Sequence, residues 1–295
     1  MPLSMVGWAQ GLIFSLLLPV YSFPVSLPTP LSVSLCSPLP PLSTMLRYLA
    51  LLLCTSVGAL RVLPLGDSIT CGCGSTARAS SNWTASCGTD VGGYRVPLWA
   101  ALTAAGVNAT LVGTLSSGPS WAPSAATRHE GHPGWRTAQI LAILPAWAAT
   151  QPDVILIHLG TNDIGQGKPL PGMLADMGAL LGNISSALPS ARTIVCTILH
   201  MVNSEHPEWG PAVAAYNAAL PALVAQWPQA ALVDLAPTGL CTENTDPRQR
   251  LCSQCNPGAA CTTNASFYDR VHPTAAGYSV MAGVLAGEVL KLLEG

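Results

Sequence analysis

Charge is scarce in this chain. Its 295 residues include only 12 Lys or Arg and 14 Asp or Glu, for a formal net charge of −2. No Lys/Arg run stands out, which argues against nucleic acid as the main partner. No internal repeat and no heptad pattern occur, so neither a repeat array nor a coiled coil is indicated. Long clean apolar runs are missing as well. "GLIFSLLLPVYSF" and "LRYLALLLCTSVGAL" come closest, and neither reaches the roughly eighteen residues of a membrane span. Apolar side chains as a class are abundant, at 49%. A chain of this length and composition can bury a sizeable core, in one large domain or two small ones.

The two N-terminal runs flank a Pro/Ser/Leu-rich stretch, "PVSLPTPLSVSLCSPLPPLST". The second run has the layout of a signal peptide. Met45 starts it, Arg47 gives the positive end, and Tyr48 to Cys54 give the apolar centre. Val57 and Ala59 then supply the small residues of a cleavage site. The expectation is a secreted protein with a signal peptide at 45–59, residues 1–44 being an extended or mispredicted N-terminus. The folded domain then runs from 60 to 295, with no stable membrane insertion once the signal is removed. A signal anchor built on the first run is the alternative.

Cysteine usage fits secretion. Beyond Cys36 and Cys54 there are Cys71, Cys73, Cys87, Cys196, Cys241, Cys252, Cys255 and Cys261. An even set in a secreted chain points to disulfides whose pairing the sequence leaves open. The last four crowd into a loop-like insertion, 241–261, where "CSQC" also has zinc-ligand spacing. Cys196, inside the strand-like "TIVCTIL", reads as a buried thiol. Asn-x-Ser/Thr sequons stand at Asn82, Asn108, Asn183 and Asn264, in keeping with a secreted glycoprotein.

After residue 60, strand-like and helix-like stretches alternate. "RVLPLG", "NATLVGT", "DVILIHLG", "ARTIVCTIL" and "AALVDLA" read as strands. "GGYRVPLWAALTAAG" reads as a helix ending at Gly106, with Pro97 in its first turn. "GWRTAQILAILPAWAAT" is helical with a kink or break at Pro145. "MLADMGALLGNISSAL", "PAVAAYNAALPALVAQW" and "PTAAGYSVMAGVLAGEVLKLLE" complete the helices. Continuous apolar strands separated by helices predict a five-stranded parallel sheet covered on both faces, a three-layer α/β/α sandwich.

A parallel sheet presents the carboxyl ends of its strands along one edge, where such folds place their chemistry. The first strand ends at Gly66-Asp67-Ser68, the third at Gly160-Thr161-Asn162-Asp163. Tyr268-Asp269-Arg270-Val271-His272-Pro273 precedes the last helix. These residue types suit acyl transfer: Ser68 as nucleophile, His272 as its base, and Asp269 orienting the imidazole. The Ser68 backbone N–H and the Asn162 amide are donors for the oxyanion. Each has a plainer use. Ser68 could be a helix N-cap, His272 could cap the last helix, and Asn162-Asp163 could be a turn pair. Asp67 and Asp163 read as structural. Three partner blocks at strand ends favour the chemical reading.

"GDSIT", "GTND" and "DRVHP", in this order, resemble the GDSL/SGNH hydrolase family. The resemblance covers nearly everything after residue 60 and implies a flavodoxin-like fold. Ser68, Asn162 and His272 match three of the family's four markers, with Asp269 beside the histidine. The resemblance places the glycine marker in "HEGHPGWRTAQI", at Gly134 in preference to Gly131, as a further oxyanion donor. "GGYR", "EGHPGWR" and "LGTNDI" look like the carbohydrate esterase branch that includes acetylxylan esterases, and imply an acetyl ester on a polysaccharide such as xylan. No cofactor and no metal are implied.

Alternatives are a lipid, thioester or aryl esterase of the same family, an acyltransferase, and a non-catalytic carbohydrate-binding protein. "HEGH" at 129–132 offers a minor zinc reading, since Pro133 breaks the H-E-x-x-H helix motif. Trp135 is a candidate to line an acyl or sugar pocket. Arg95 and Arg136 either contact substrate or pair with acids, and Lys168 reads as solvated.

Overall fold

"LRVLPLG" is apolar on both faces and forms the central strand β1, Leu60–Gly66, with Val62, Leu63 and Leu65 fully buried. The structure, a computed structural model, describes residues 58–74, 87, 92–201, 205–235, 271–273 and 275–294. Residues 1–57 with most of the expected signal peptide, the insertion 241–261, Asp269, Asn82 and Asn264 lie outside the described residues.

Six further strands follow: β2 Ala109–Leu111, β3 Leu115–Ser116, β4 Arg128–Gly131, β5 Val154–His158, β6 Arg192–Cys196 and β7 Ala230–Val233. The five expected strands form a parallel core in the order β2-β1-β5-β6-β7. That is the flavodoxin-like order. β3 and β4 were not expected. β4 adds in parallel to β1, and β3 pairs antiparallel with β4. β1 thus changes partner along one edge, with Leu60–Val62 on β2 and Leu65–Gly66 on β4.

The helices are α1 Ser68–Cys71, α2 Arg95–Ala104, α3 Thr137–Ala142, α4 Leu144–Ala148, α5 Thr161–Gly165, α6 Leu170–Ala187, α7 Trp209–Val224 and α8 Ala275–Glu294. Alternation along each strand sends successive side chains to opposite faces. Leu63, Leu65, Ile155 and Ile157 pack with α3, α4, α6 and α7. Val62, Val154, Leu156 and Ile194 pack with α2 and α8. α8 is long and apolar enough to cross a membrane by composition. Here it buries Tyr278, Met281, Ala282, Leu285, Ala286 and Val289, one stripe at helical spacing. α2 ends at Ala104, two residues before the expected end. The Gly106 and Val107 amides reach back to Thr103 and Leu102 carbonyls, and Gly106 takes φ +82°, a Schellman cap. Pro145 breaks the second predicted helix into α3 and α4, entering the first turn of α4.

β5 ends in a buried histidine. His158 shares its face with Val154 and Leu156, is 1% exposed, and neither ring nitrogen has a hydrogen-bond partner among the described residues. Burial pushes its pKa down to about 4. The unfolded chain therefore binds this proton first, so stability is intact above pH 6.5 and is lost as pH falls towards 4. His158→Leu should be more stable than wild type. Its advantage should grow by about 2 kcal/mol between pH 8 and pH 5 in denaturant titrations. An advantage independent of pH would show that His158 is not held neutral.

Candidate active site

The chain leaves β1 through Asp67 into α1, a helix of one turn. Asp67 is the N-cap, its Oδ1 accepting from the Ile69 N–H at 2.9 Å. Ser68 is thus the first helical residue rather than the cap. It is 3% exposed. Its Oγ lies 2.7 Å from His272 Nε2, across 204 residues of sequence. Asp269 lies outside the described residues, so its place beside His272 stays an expectation.

β5 delivers the second turn. Gly66 is level with His158 in the β1–β5 register, so Gly160, Thr161 and Asn162 emerge beside Asp67 and Ser68. Asn162 Nδ2 donates to the Trp135 carbonyl at 3.0 Å. Asp163 is buried and structural, its Oδ2 accepting from the Thr137 N–H and hydroxyl at 3.0 Å each. Lys168 was read as solvated, but it pairs with Asp176 and approaches Asp163 at 3.8 Å. The acids that attract it come from α5 and α6, which a loop reading of "IGQGKPLPG" does not bring together.

β4 delivers the third turn, "HPGW". The Trp135 N–H returns to the His132 carbonyl at 3.1 Å and Gly134 has φ +80°. Pro133 at the second position and a positive-φ glycine at the third make a type II turn. The two candidate glycines have different uses. Gly131 ends β4 opposite Gly66, and a Cβ there would run into the Cys71 backbone. Gly134 has nothing within 4 Å of its would-be Cβ. Trp135 is half-buried against the core and its ring stacks on His132.

Arg95, left open by the sequence, is wholly buried and contacts neither an acid nor the open site through its hydrogen bonds among the described residues. Its partners are the carbonyls of Thr70, Cys71, Ser117 and Thr127 and the Ser117 hydroxyl. Arg136 is the residue before α3, its N–H donating to Gln139 Oε1. His129 spends both nitrogens within the protein, Nδ1 on the Gly131 N–H and Nε2 on the Ser117 hydroxyl. His132 is bonded to Glu130. Those commitments take "HEGH" out of the zinc reading. Cys73 and Cys87 form a disulfide, while Cys71 and Cys196 are buried free thiols. Cys252 and Cys255 lie outside the described residues.

Asp67 is the charged group the sequence undervalued. It is fully buried, and burial raises its pKa to about 6 against the opposing pull of the Ile69 N–H, His272 and Thr161. Only its position on the floor of the site, seen in the structure, sets it against His272. A raised carboxyl pKa means that the folded state keeps its proton longer than the unfolded one. The stabilisation is full below pH 3.8 and is lost as pH rises through 6. Asn caps as well as Asp. Asp67→Asn should therefore gain about 2–3 kcal/mol over wild type at pH 7–8 and far less at pH 4. Equal gains at both pH values in denaturant titrations would contradict the burial argument.

Comparison with known proteins bears on the fold and the family. No curated protein matches the chain in sequence. A family 3 carbohydrate esterase from Clostridium thermocellum is 24% identical, with a TM-score of 0.56 over 81% of this chain and 100% of that one. A carbohydrate esterase of family 3 from Talaromyces cellulolyticus is 23% identical, with a TM-score of 0.57 over 80% and 98%. An acetylxylan esterase from Geobacillus stearothermophilus is 18% identical, with a TM-score of 0.51 over 80% and 96%. At such identities the likeness is one of fold. The family model for GDSL-like lipases and acylhydrolases matches residues 65–280, from the end of β1 into α8. That span takes in all three turns of the site, and the chain belongs to the GDSL-like lipase/acylhydrolase family, as a serine ester hydrolase.

Proposed function

We propose that the protein is a secreted esterase that removes short acyl groups, acetyl above all, from a polysaccharide such as xylan. The observation that carries the catalytic part is the 2.7 Å approach of Ser68 Oγ to His272 Nε2. Ser68 Oγ attacks the ester carbonyl while His272 takes its proton. Asp269 holds the imidazole in the tautomer that leaves Nε2 free to accept. The carbonyl oxygen becomes an oxyanion, received by the N–H groups of Ser68 and Gly134 and the side chain of Asn162. A carboxamide carries two N–H bonds; one of Asn162's goes to Trp135, and the other serves the oxyanion. His272 then protonates the leaving alcohol, and water repeats the sequence on the acyl-enzyme. Trp135 stands at the edge of this arrangement as a wall for the sugar or acyl group.

The polysaccharide part is supported by the names of the similar structures, carbohydrate esterases and an acetylxylan esterase. Secretion is supported by the signal-like segment 45–59 and by β1 starting at Leu60, so cleavage after Ala59 leaves the strand whole. The Cys73–Cys87 disulfide and the exposed sequon residues Asn108 and Asn183 are in keeping with that route.

The test is acetate release from acetylated xylan and from p-nitrophenyl acetate by the secreted protein. Both should be cleaved. Ser68→Ala should lose at least about a thousand-fold, and Asn162→Ala about a hundred- to a thousand-fold. Cleavage of the small ester alone would move the substrate to a lipid, thioester or aryl ester. Transfer to an added sugar would mean an acyltransferase. Activity surviving Ser68→Ala would overturn the catalytic assignment, and a folded protein inert on every ester would favour a carbohydrate-binding role.

A further inference from the structure

The "HPGW" turn is held at more points than a surface turn needs. At its first residue, the His132 N–H donates to the Gly66 carbonyl at 3.0 Å, the last residue of β1. The His132 side chain reaches Glu130 Oε1 through Nε2 at 2.7 Å. Glu130 is fully buried and is itself fixed by Thr114, whose N–H donates to Oε2 at 2.8 Å and whose hydroxyl contacts both oxygens. At the turn's other end, the Trp135 carbonyl accepts from Asn162. The two ends also meet directly: the His132 and Trp135 rings stack at 4.1 Å and 17°. Between them, the Gly134 carbonyl accepts from Gln166 Nε2 at 2.9 Å.

We propose that His132, anchored by Glu130 and stacked on Trp135, is a positioning residue that locks the type II turn and so aims the Gly134 N–H into the oxyanion site. A type II turn interconverts with type I by rotating its central peptide, which here is the Pro133–Gly134 bond that carries that N–H. Glycine alone sets no preference, because it adopts either sign of φ readily. The preference has to come from outside the turn. The stack ties its first residue to its last, and the Glu130 contact keeps the His132 ring from swinging away. Burial works against a charged Glu130, yet the bonds from His132 and Thr114 hold its carboxyl below the ordinary range. The anchor is thus an ionised acceptor, which grips more firmly than a neutral one. The catalytic half of the proposal rests on the esterase reading. The conformational half does not.

Two readouts separate these halves. The first is amide hydrogen exchange at Trp135, whose N–H closes the turn. His132→Ala and Trp135→Ala should speed it at least about tenfold, whereas Trp135→Phe, which retains a ring to stack, should leave it near wild type. The second is p-nitrophenyl acetate turnover. In His132→Ala, kcat should fall about ten- to a hundred-fold, part of what loss of an oxyanion donor costs, with KM within threefold. Unchanged exchange in His132→Ala overturns the proposal whatever the kinetics show. Faster exchange with kcat kept within threefold also overturns it, since the turn would then have no part in aiming a donor. If wild type cleaves no ester while the exchange pattern appears, the lock stands and the esterase reading is what fails.

Discussion

The register of β1 against β5 is the constraint on which the rest of this structure depends. Pairing Gly66 with His158 ends the two strands at one level, so the turns bearing Ser68 and Asn162 leave the sheet side by side. β1 lies where the chain order reverses, with β2 on one side and β5 on the other. At such a switch point the outgoing segments diverge to opposite faces and leave a crevice. Here α1 contributes Ile69 to the α2/α8 core, while α5 contributes Ile164 to the other. A slip of one residue would turn every side chain of β1 to the wrong face, so the buried pattern of Val62 against Leu63 and Leu65 enforces the level of the turns.

β4 completes the site because β1 has a free edge to give it. β2 pairs only with Leu60–Val62. The upper edge of β1 would otherwise leave backbone groups bare, which buried strands do not tolerate. β4 takes Leu65 and Gly66, and its continuation, through the His132 bond to Gly66, becomes the "HPGW" turn. The short strand that repairs the sheet edge is also what anchors the "HPGW" turn beside Gly66, the last residue of β1. Gly66 and Gly131 both have to lack a side chain for α1 to sit so close, since a Cβ at either would overlap Thr70 or Cys71.

Legibility in the sequence followed the source of each element's stability. The five parallel strands and the four long helices α2, α6, α7 and α8 carry their reason in their own residues, as continuous apolar runs or 3.6-residue stripes, and could be read directly. Ser68 and Asn162 could be placed because strand ends are predictable once strands are, and His272 because its block immediately precedes the last helix. β4 could not be read, because "RHEG" has no strand-like composition. It is a strand only because β1 offers an edge, and β propensity is mostly such context. The use of Glu130 and His132 was not legible for the same reason: as a string they offer only a minor zinc reading, and only Thr114 and Trp135, brought in from other segments, show a carboxylate–imidazole clamp. Yet "HPGW" held a usable signal, since Pro-Gly marks a type II turn. Asp269 and the insertion 241–261 fall outside the described residues, so the structure adds nothing to the sequence there.

The floor beneath the three turns is unusual in what it does with charge. His129 and His158 are both pushed far towards the neutral form by burial, to about 2 and about 4. Asp67 is raised to about 6 by the same cause. Arg95 is the exception: burial lowers it only to about 10, so it stays charged at neutral pH, with no carboxylate among its hydrogen-bond partners in the described residues. It is tolerated because its donors are matched by carbonyl oxygens, which carry partial negative charge without full desolvation cost. Two of those carbonyls, Thr70 and Cys71, are the last of α1. A helix of one turn cannot satisfy its own C-terminal carbonyls, and a guanidinium fork can take several at once. Lysine would bring the charge without the fork, and an apolar residue would leave the carbonyls orphaned. Arg95 therefore explains how a four-residue helix, too short to be stable alone, can hold Ser68 still at the end of β1.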